Sequence, residues 1–150
     1  MSESGRTVTC LFKAVSGLLN TEYDQLIAKI RRFGPTERRE LATALENGCS
    51  ITQMNRWLVL IEIDNVHFRR IEGQTGVSEQ DDWQRAHRTV WAVAGTRQVG
   101  LACGKGGLGH AVLFSLESEI KGTIKLDPYF RDRAGLYRDF GPPIIVVYID

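Results

Sequence analysis

Four glycines fall within six residues, at 104–109, between an apolar segment that predicts a strand and one that predicts a helix. Glycine permits positive backbone torsions and a close approach by a neighbouring group. The first amides of a helix lack partners within it and carry the positive end of its dipole. The segment therefore predicts a strand-to-helix corner, which either serves only to turn the chain tightly or holds a phosphate on its main-chain amides.

The side chains around this corner add to the phosphate-site hypothesis. Lys105 can supply a mobile cation, and His110 can supply a further donor. The candidate phosphate-binding residues are the loop and its flanks: Gly104, Lys105, Gly106, Gly107, Leu108, Gly109 and His110.

The glycine spacing is compatible with more than one phosphate-binding motif. A Walker A motif requires a Gly-Lys-Ser/Thr ending, which is absent. Gly104, Gly106 and Gly109 satisfy the dinucleotide-binding spacing, and Asp127 falls close to the ~20-residue distance of its ribose-binding acid. Only 41 residues follow Gly109, however, too few for a doubly wound parallel sheet.

Hydrophobic periodicity and turn residues predict the remaining elements. Strands are predicted at 6–15, 57–63, 67–71, 89–94, 98–103, 123–126 and 144–149. Helices are predicted at 21–33, 36–48, 108–119 and 131–140. The order predicts an α/β fold with a mixed, largely antiparallel central sheet flanked by helices.

Composition narrows the class of protein. Apolar residues make up 43% of the chain and charged residues 25%, which predicts one globular domain over 1–150. Because 19 basic side chains oppose 18 acidic ones, no overall charge favours nucleic acid or anionic lipid. We expect no membrane span, no secretory signal and a cytoplasmic location. Three widely spaced cysteines predict reduced, partly buried thiols rather than disulfides, and no motif predicts a metal.

The carboxyl-terminal third follows a strand, glycine loop, helix, strand and helix, and ends in the run AGLYRDFG at 134–141. This order resembles the GNAT superfamily of N-acetyltransferases, whose loop amides hold the pyrophosphate of acetyl-coenzyme A. The resemblance implies that Gly107 and Gly109 are the last two glycines of the loop motif, and that Tyr137 is the tyrosine of a later helix. Gly104 departs from the family's usual Gln or Arg at its position.

The resemblance also implies roles in catalysis. Tyr137 would protonate the departing coenzyme A thiolate, although it fits a packing role on an amphipathic helix equally well. Exposed amides of a splayed strand before the loop would bind the pantetheine arm and polarise the thioester; the residues concerned are Val99, Leu101 and Cys103. For Cys103 to act as a nucleophile it would need a base, and none is identifiable. We therefore interpret Cys103 as a small buried residue.

The general base is sought among residues that interrupt apolar segments. Glu62 stands in the otherwise apolar run 57–63, where it would be a desolvated carboxylate beside the acceptor cleft. His67 and His87 are the alternatives, each also explained as an ordinary packed or surface histidine.

The expected activity is N-acetylation of a primary amine by acetyl-coenzyme A, with Tyr137 and Glu62 as catalytic residues. The acceptor stays open among a small amine, a protein amine and an aminoacylated RNA, other nucleic acid is not expected, and a homodimer is allowed. Two alternatives remain: a non-catalytic binding module of the same fold, and a dinucleotide-dependent oxidoreductase.

Overall fold

The computed structural model describes residues 9–71, 79–105, 108–125 and 133–150. The helices are α1 Cys10–Leu18, α2 Tyr23–Phe33, α3 Pro35–Asn47, α4 Ile51–Leu60, α5 Glu79–Ala94 and α6 Arg133–Phe140. The strands are β1 Val66–Arg70, β2 Val99–Lys105, β3 Leu108–Leu116, β4 Gly122–Lys125 and β5 Pro143–Ile149. In the described ranges, no helix has both the length and the apolar character needed to cross a membrane.

The strands form one open sheet in the order β1-β5-β2-β3-β4. Every neighbouring pair within the described residues is antiparallel. The predicted α/β class with a largely antiparallel sheet is therefore confirmed. β2 and β5 lie inside the sheet, whereas β1 and β4 form its two edges.

Helices cover both faces of the sheet. On one face α1–α4 enclose a core that contains Phe12 and Trp57, whose rings stack with centroids 5.8 Å apart. On the other face α5 and α6 enclose a second core. Successive residues of β3 alternate between the two, because Ala111 belongs to the first core and Val112 to the second.

Several predicted elements are confirmed. α2 ends and α3 begins at the Gly34-Pro35 step. Pro35 takes the first helical position, where a missing N–H removes no helical hydrogen bond. Gly48 ends α3 with a left-handed φ of 89°, which favours glycine. The strands predicted at 67–71, 98–103, 123–126 and 144–149 and the helix at 131–140 are also present, within a few residues of the predicted bounds and where described.

Three predicted strands are wrong, because each belongs to a helix. The segment 6–15 contributes to α1, and the segment 57–63 contributes to α4 and the turn after it. Ser50 caps α4 by accepting a hydrogen bond from the Gln53 amide at 3.1 Å. The segment 89–94 ends α5, where Ala86, Val90 and Ala94 recur at four-residue spacing and are all buried.

Candidate functional site

The glycine-rich segment lies in a hairpin rather than at the start of a helix. β2 and β3 pair up to Gly104 opposite Gly109 and Lys105 opposite Leu108. The predicted helix at 108–119 is therefore wrong, and the phosphate site that depended on its amides and dipole loses its physical basis. Gly106 and Gly107 lie outside the described residues, and the other backbone groups of the segment belong to the β2–β3 ladder.

The strand proposed to present free amides to pantetheine is instead central. β2 pairs with β3 along one edge and with β5 along the other, so its amides take part in two ladders. Val99 and Leu101 are fully buried and Cys103 is 2% exposed. The expectation of exposed amides at these three residues is therefore wrong, whereas the interpretation of Cys103 as a small buried residue is confirmed.

Two of the candidate bases, Glu62 and His67, do not lie in buried catalytic surroundings. Glu62 lies in the turn after α4 with a left-handed φ of 64°, and its side chain is exposed rather than desolvated. His67 lies on β1, where its Nε2 is 2.5 Å from an Asp150 carboxylate oxygen. The desolvated-carboxylate prediction for Glu62 is therefore wrong.

Tyr137 and the third candidate base, His87, form one buried pair. The Tyr137 hydroxyl lies 2.8 Å from the His87 Nε2, and the two residues are 2% and 4% exposed. The Trp83 ring packs against the phenol with centroids 5.0 Å apart. These contacts match the packing interpretation of Tyr137; its role as a proton donor to coenzyme A stays a prediction.

A thiol that the site predictions did not include lies at the first turn of α1. Cys10 is the first residue of this helix, and its Sγ accepts a hydrogen bond from the Ala111 amide at 3.1 Å. The amino end of α1 and β3 therefore meet at this sulfur.

The register of the sheet explains why the Ala111 amide can reach a sulfur. The Glu117 amide donates to the Lys121 carbonyl, so odd-numbered residues of β3 direct their N–H groups toward β4. The described part of β4 ends at Lys125, which is opposite Leu113. The Ala111 amide therefore points beyond the described part of β4, where it donates a hydrogen bond to the Cys10 Sγ.

His110 directly precedes the amide that contacts the thiol. It is 5% exposed, lies opposite Cys103 across the β2–β3 ladder, and stacks on the Phe140 ring with centroids 5.0 Å apart and planes inclined by 24°. Phe140, the last residue of α6, therefore holds the imidazole by ring stacking. Because neighbouring residues of β3 direct their side chains to opposite faces, the His110 imidazole lies on the α5–α6 face of the sheet, whereas Cys10 packs with the core on the α1–α4 face.

The other two thiols differ from Cys10 in their surroundings. Burial, and secondarily the nearby Cys10, raises the pKa of the Cys49 thiol to about 12. The same two causes, in the same order, raise the pKa of the nearly inaccessible Cys103 thiol well above its ordinary range. Both remain protonated at neutral pH, whereas Cys10 is half-buried at a helix terminus.

Sequence reasoning treated Cys10 as an ordinary thiol and His110 as a phosphate donor. The available signal for the thiol was a cysteine at the start of an apolar segment of helical length. The strand predicted at 6–15 concealed it. Asp127, singled out for its distance from the glycines, lies outside the described residues.

Comparison of the chain with family models, curated proteins and solved structures finds no match. Within the described part of the chain, no three His, Cys, Asp or Glu side chains lie together as a metal site.

Proposed function

We propose that the protein is a cysteine-dependent acyl-transfer enzyme in which Cys10 is the nucleophile. The observation that carries this proposal is the 3.1 Å contact between the Cys10 Sγ and the Ala111 amide at the first turn of α1. The thiolate is the nucleophilic form of cysteine, and helix N-termini and donated hydrogen bonds favour it.

The substrate class is a carboxylic ester, thioester or amide. The Cys10 thiol adds to the carbonyl carbon and forms the C–S bond as its proton passes to water, and the leaving alcohol, thiol or amine takes a proton from water as its own bond to carbon breaks. Water then attacks the thioester, a proton returns to the departing Cys10 sulfur, and the carboxylic acid leaves as the thiol is restored. The reaction is a hydrolysis, with no oxidant or other co-reactant.

The surroundings of the other two thiols support this assignment. Cys49 and Cys103, which the fold also places near Cys10, remain protonated because burial raises the pKa of each. Cys10 is therefore the expected site of acylation.

The proposal is tested with p-nitrophenyl acetate, an activated ester that acylates nucleophilic thiols. We expect a burst of p-nitrophenol equal to the enzyme present, with one acetyl group found on Cys10 by peptide mass spectrometry. Cys10→Ala should abolish the burst.

Cys49→Ala is the matched control, since it removes a neighbouring thiol and should leave the burst unchanged. At pH 8 a thiol with a pKa of about 12 is only about 0.01% ionised, so Cys49 should remain unlabelled. Acylation of Cys10 at the rate of a free thiol would contradict the proposal.

N-acetylation of an amine by acetyl-coenzyme A, on a GNAT-type fold, remains a second hypothesis. The mixed α/β architecture with its antiparallel sheet is the observation that favours it. It predicts that acetyl-coenzyme A raises the Tm, as a ligand of the native state must, and that Tyr137→Phe lowers turnover. NAD and ATP serve as comparison ligands. Amine-dependent release of coenzyme A that survives Cys10→Ala would favour this activity over thiol catalysis.

A further inference from the structure

The edge strand β1 leaves one side of its backbone without a partner strand. The Asp150 amide donates to the Asn65 carbonyl, and the Ile71 amide donates to the Ile144 carbonyl. Odd-numbered positions from 65 to 71 therefore bond to β5, and even-numbered ones point away from it. The N–H and C=O groups of Val66, Phe68 and Arg70 thus face outward from the sheet, and no backbone bond to them is found among the described residues.

A cavity of about 420 Å³ lies against this edge. It is lined by Val66, His67 and Phe68 of β1, by Tyr148 of β5 and by Ile51, Thr52 and Asn55 of α4. Its volume falls within the range of ordinary ligand pockets, about 300–1,000 Å³.

The residues that line the cavity suit an apolar side chain flanked by polar contacts. Ile51 and Phe68 provide apolar walls, and Thr52 and Asn55 of α4 provide a hydroxyl and an amide. A residue paired with Phe68 on an added strand would direct its side chain to the same face of the sheet as Phe68, which is the face that α4 covers.

Charge is distributed unevenly along the edge. Arg69 and Arg70 are both exposed, and their partners across β5 are the apolar Val146 and Ile145. Among the described residues no carboxylate pairs with either guanidinium. The acidic Asp64 lies at the opposite end of the strand. The carboxyl end of this edge therefore attracts acidic side chains.

We propose that the free edge of β1 docks an extended acidic segment of another polypeptide, which adds to the sheet as an antiparallel strand and places one apolar side chain in the cavity beside Phe68. Main-chain hydrogen bonds to the outward-facing groups of β1 hold the segment, and the cavity and the arginines select its sequence. Because the segment runs antiparallel, its acidic residues precede the apolar one. This docking site is independent of Cys10.

The probe is a short, end-capped, fluorescent peptide of threonine and valine with two adjacent glutamates followed by a leucine. Binding is measured by fluorescence anisotropy on the full-length protein. A peptide with lysines in place of the glutamates tests charge, and a peptide with alternate backbone nitrogens methylated tests strand pairing. We expect the glutamate peptide to bind, the lysine peptide to bind at least about fivefold more weakly, and the methylated peptide not to bind.

The protein variants separate docking from folding. The double substitution Arg69→Ser with Arg70→Ser should weaken binding by about fivefold, the effect expected of two exposed ion pairs. The matched control is Arg38→Ser with Arg39→Ser, which removes two adjacent exposed arginines from α3 and should leave binding unchanged. Bound peptide should also slow hydrogen exchange at the Val66 and Phe68 amides.

Three results would overturn the proposal. They are equal binding of the glutamate and lysine peptides, binding that survives backbone methylation, and sedimentation showing that two copies of the chain associate through β1. Loss of acylation in Cys10→Ala with peptide binding intact would separate this site from the proposed catalytic one.

Discussion

Gly17 allows α1 to approach β3 closely, and its replacement tests the packing that positions the thiol. Gly17 lies seven residues after Cys10, about two helical turns, so both residues face β3. A Cβ at position 17 would lie 2.4 Å from the Leu113 Cδ1 and 3.2 Å from its Cγ. Ordinary carbon–carbon contacts are about 3.5–4.0 Å, so α1 or Leu113 must move by about 1 Å.

The magnitude follows from two opposing terms. Gly17→Ala gains about 1 kcal/mol of helix propensity, and overpacking of a core costs about 1–3 kcal/mol. Leu113 is only 5% exposed, so it has little room to rotate away. We expect a net loss of about 0–2 kcal/mol, seen in urea denaturation followed by circular dichroism, and slower alkylation of Cys10 as α1 shifts.

A second substitution makes the test decisive. Leu113→Ala alone should cost about 2–5 kcal/mol by leaving a cavity. In that background Gly17→Ala fills part of the space and should become stabilising by about 1 kcal/mol. If Gly17→Ala stabilises the unaltered protein by the full helix-propensity term, with no coupling to Leu113, then α1 does not lie against β3 as described.

Three further perturbations have defined outcomes. Because burial raises the pKa of Cys49 from 9.0 to about 12, its stabilising effect is complete below about pH 9 and is lost as the pH rises toward 12. The fall in unfolding free energy over that range should be shallower in Cys49→Ala, as measured by urea denaturation at each pH. Tyr137→Phe removes the hydroxyl that lies 2.8 Å from the His87 Nε2, and should cost about 1–3 kcal/mol in thermal unfolding; an unchanged Tm would show that this contact contributes nothing. Gly122→Ala would place a Cβ 2.3 Å from the Phe114 Cζ, and should cost about 1–3 kcal/mol in chemical denaturation, whereas a more stable variant would contradict the close approach of β4 to β3.

Local signals in the sequence predicted the elements that local chemistry decides. The Gly34-Pro35 step and Gly48 bound helices through backbone torsion and a missing N–H, and both act within a few residues. The strand near 144–149 is apolar and follows two prolines, which end a helix. These features needed no knowledge of distant partners.

The wrong predictions of secondary structure fall on apolar runs that suit either a helix or a strand. Trp57 and the residues after it have high strand propensity, yet the run continues a helix that Ser50 and Gln53 open with a side-chain cap. The run after Gly109 has the length of a helix but is buried on both faces as a strand. Glycines 106 and 107 between two apolar runs also fit a hairpin connection, a possibility that the phosphate-loop interpretation displaced.

The candidate thiol site could not be derived from any one segment. Cys10 and Ala111 are 101 residues apart, and their proximity depends on how α1 docks on the sheet. The cysteine was visible in the sequence. Its contact with β3 was not, because it depends on helix docking and strand register, which periodicity does not encode.

This separation along the chain has a consequence for how the protein is made. During synthesis α1 leaves the ribosome roughly 100 residues before β3. The contact between α1 and β3 therefore forms only after a long loop has closed, at a cost in conformational entropy. A nascent or truncated chain that ends before β3 thus carries Cys10 without the Ala111 amide that contacts it in the folded protein. The proposed nucleophile therefore acquires its surroundings only when the sheet has assembled.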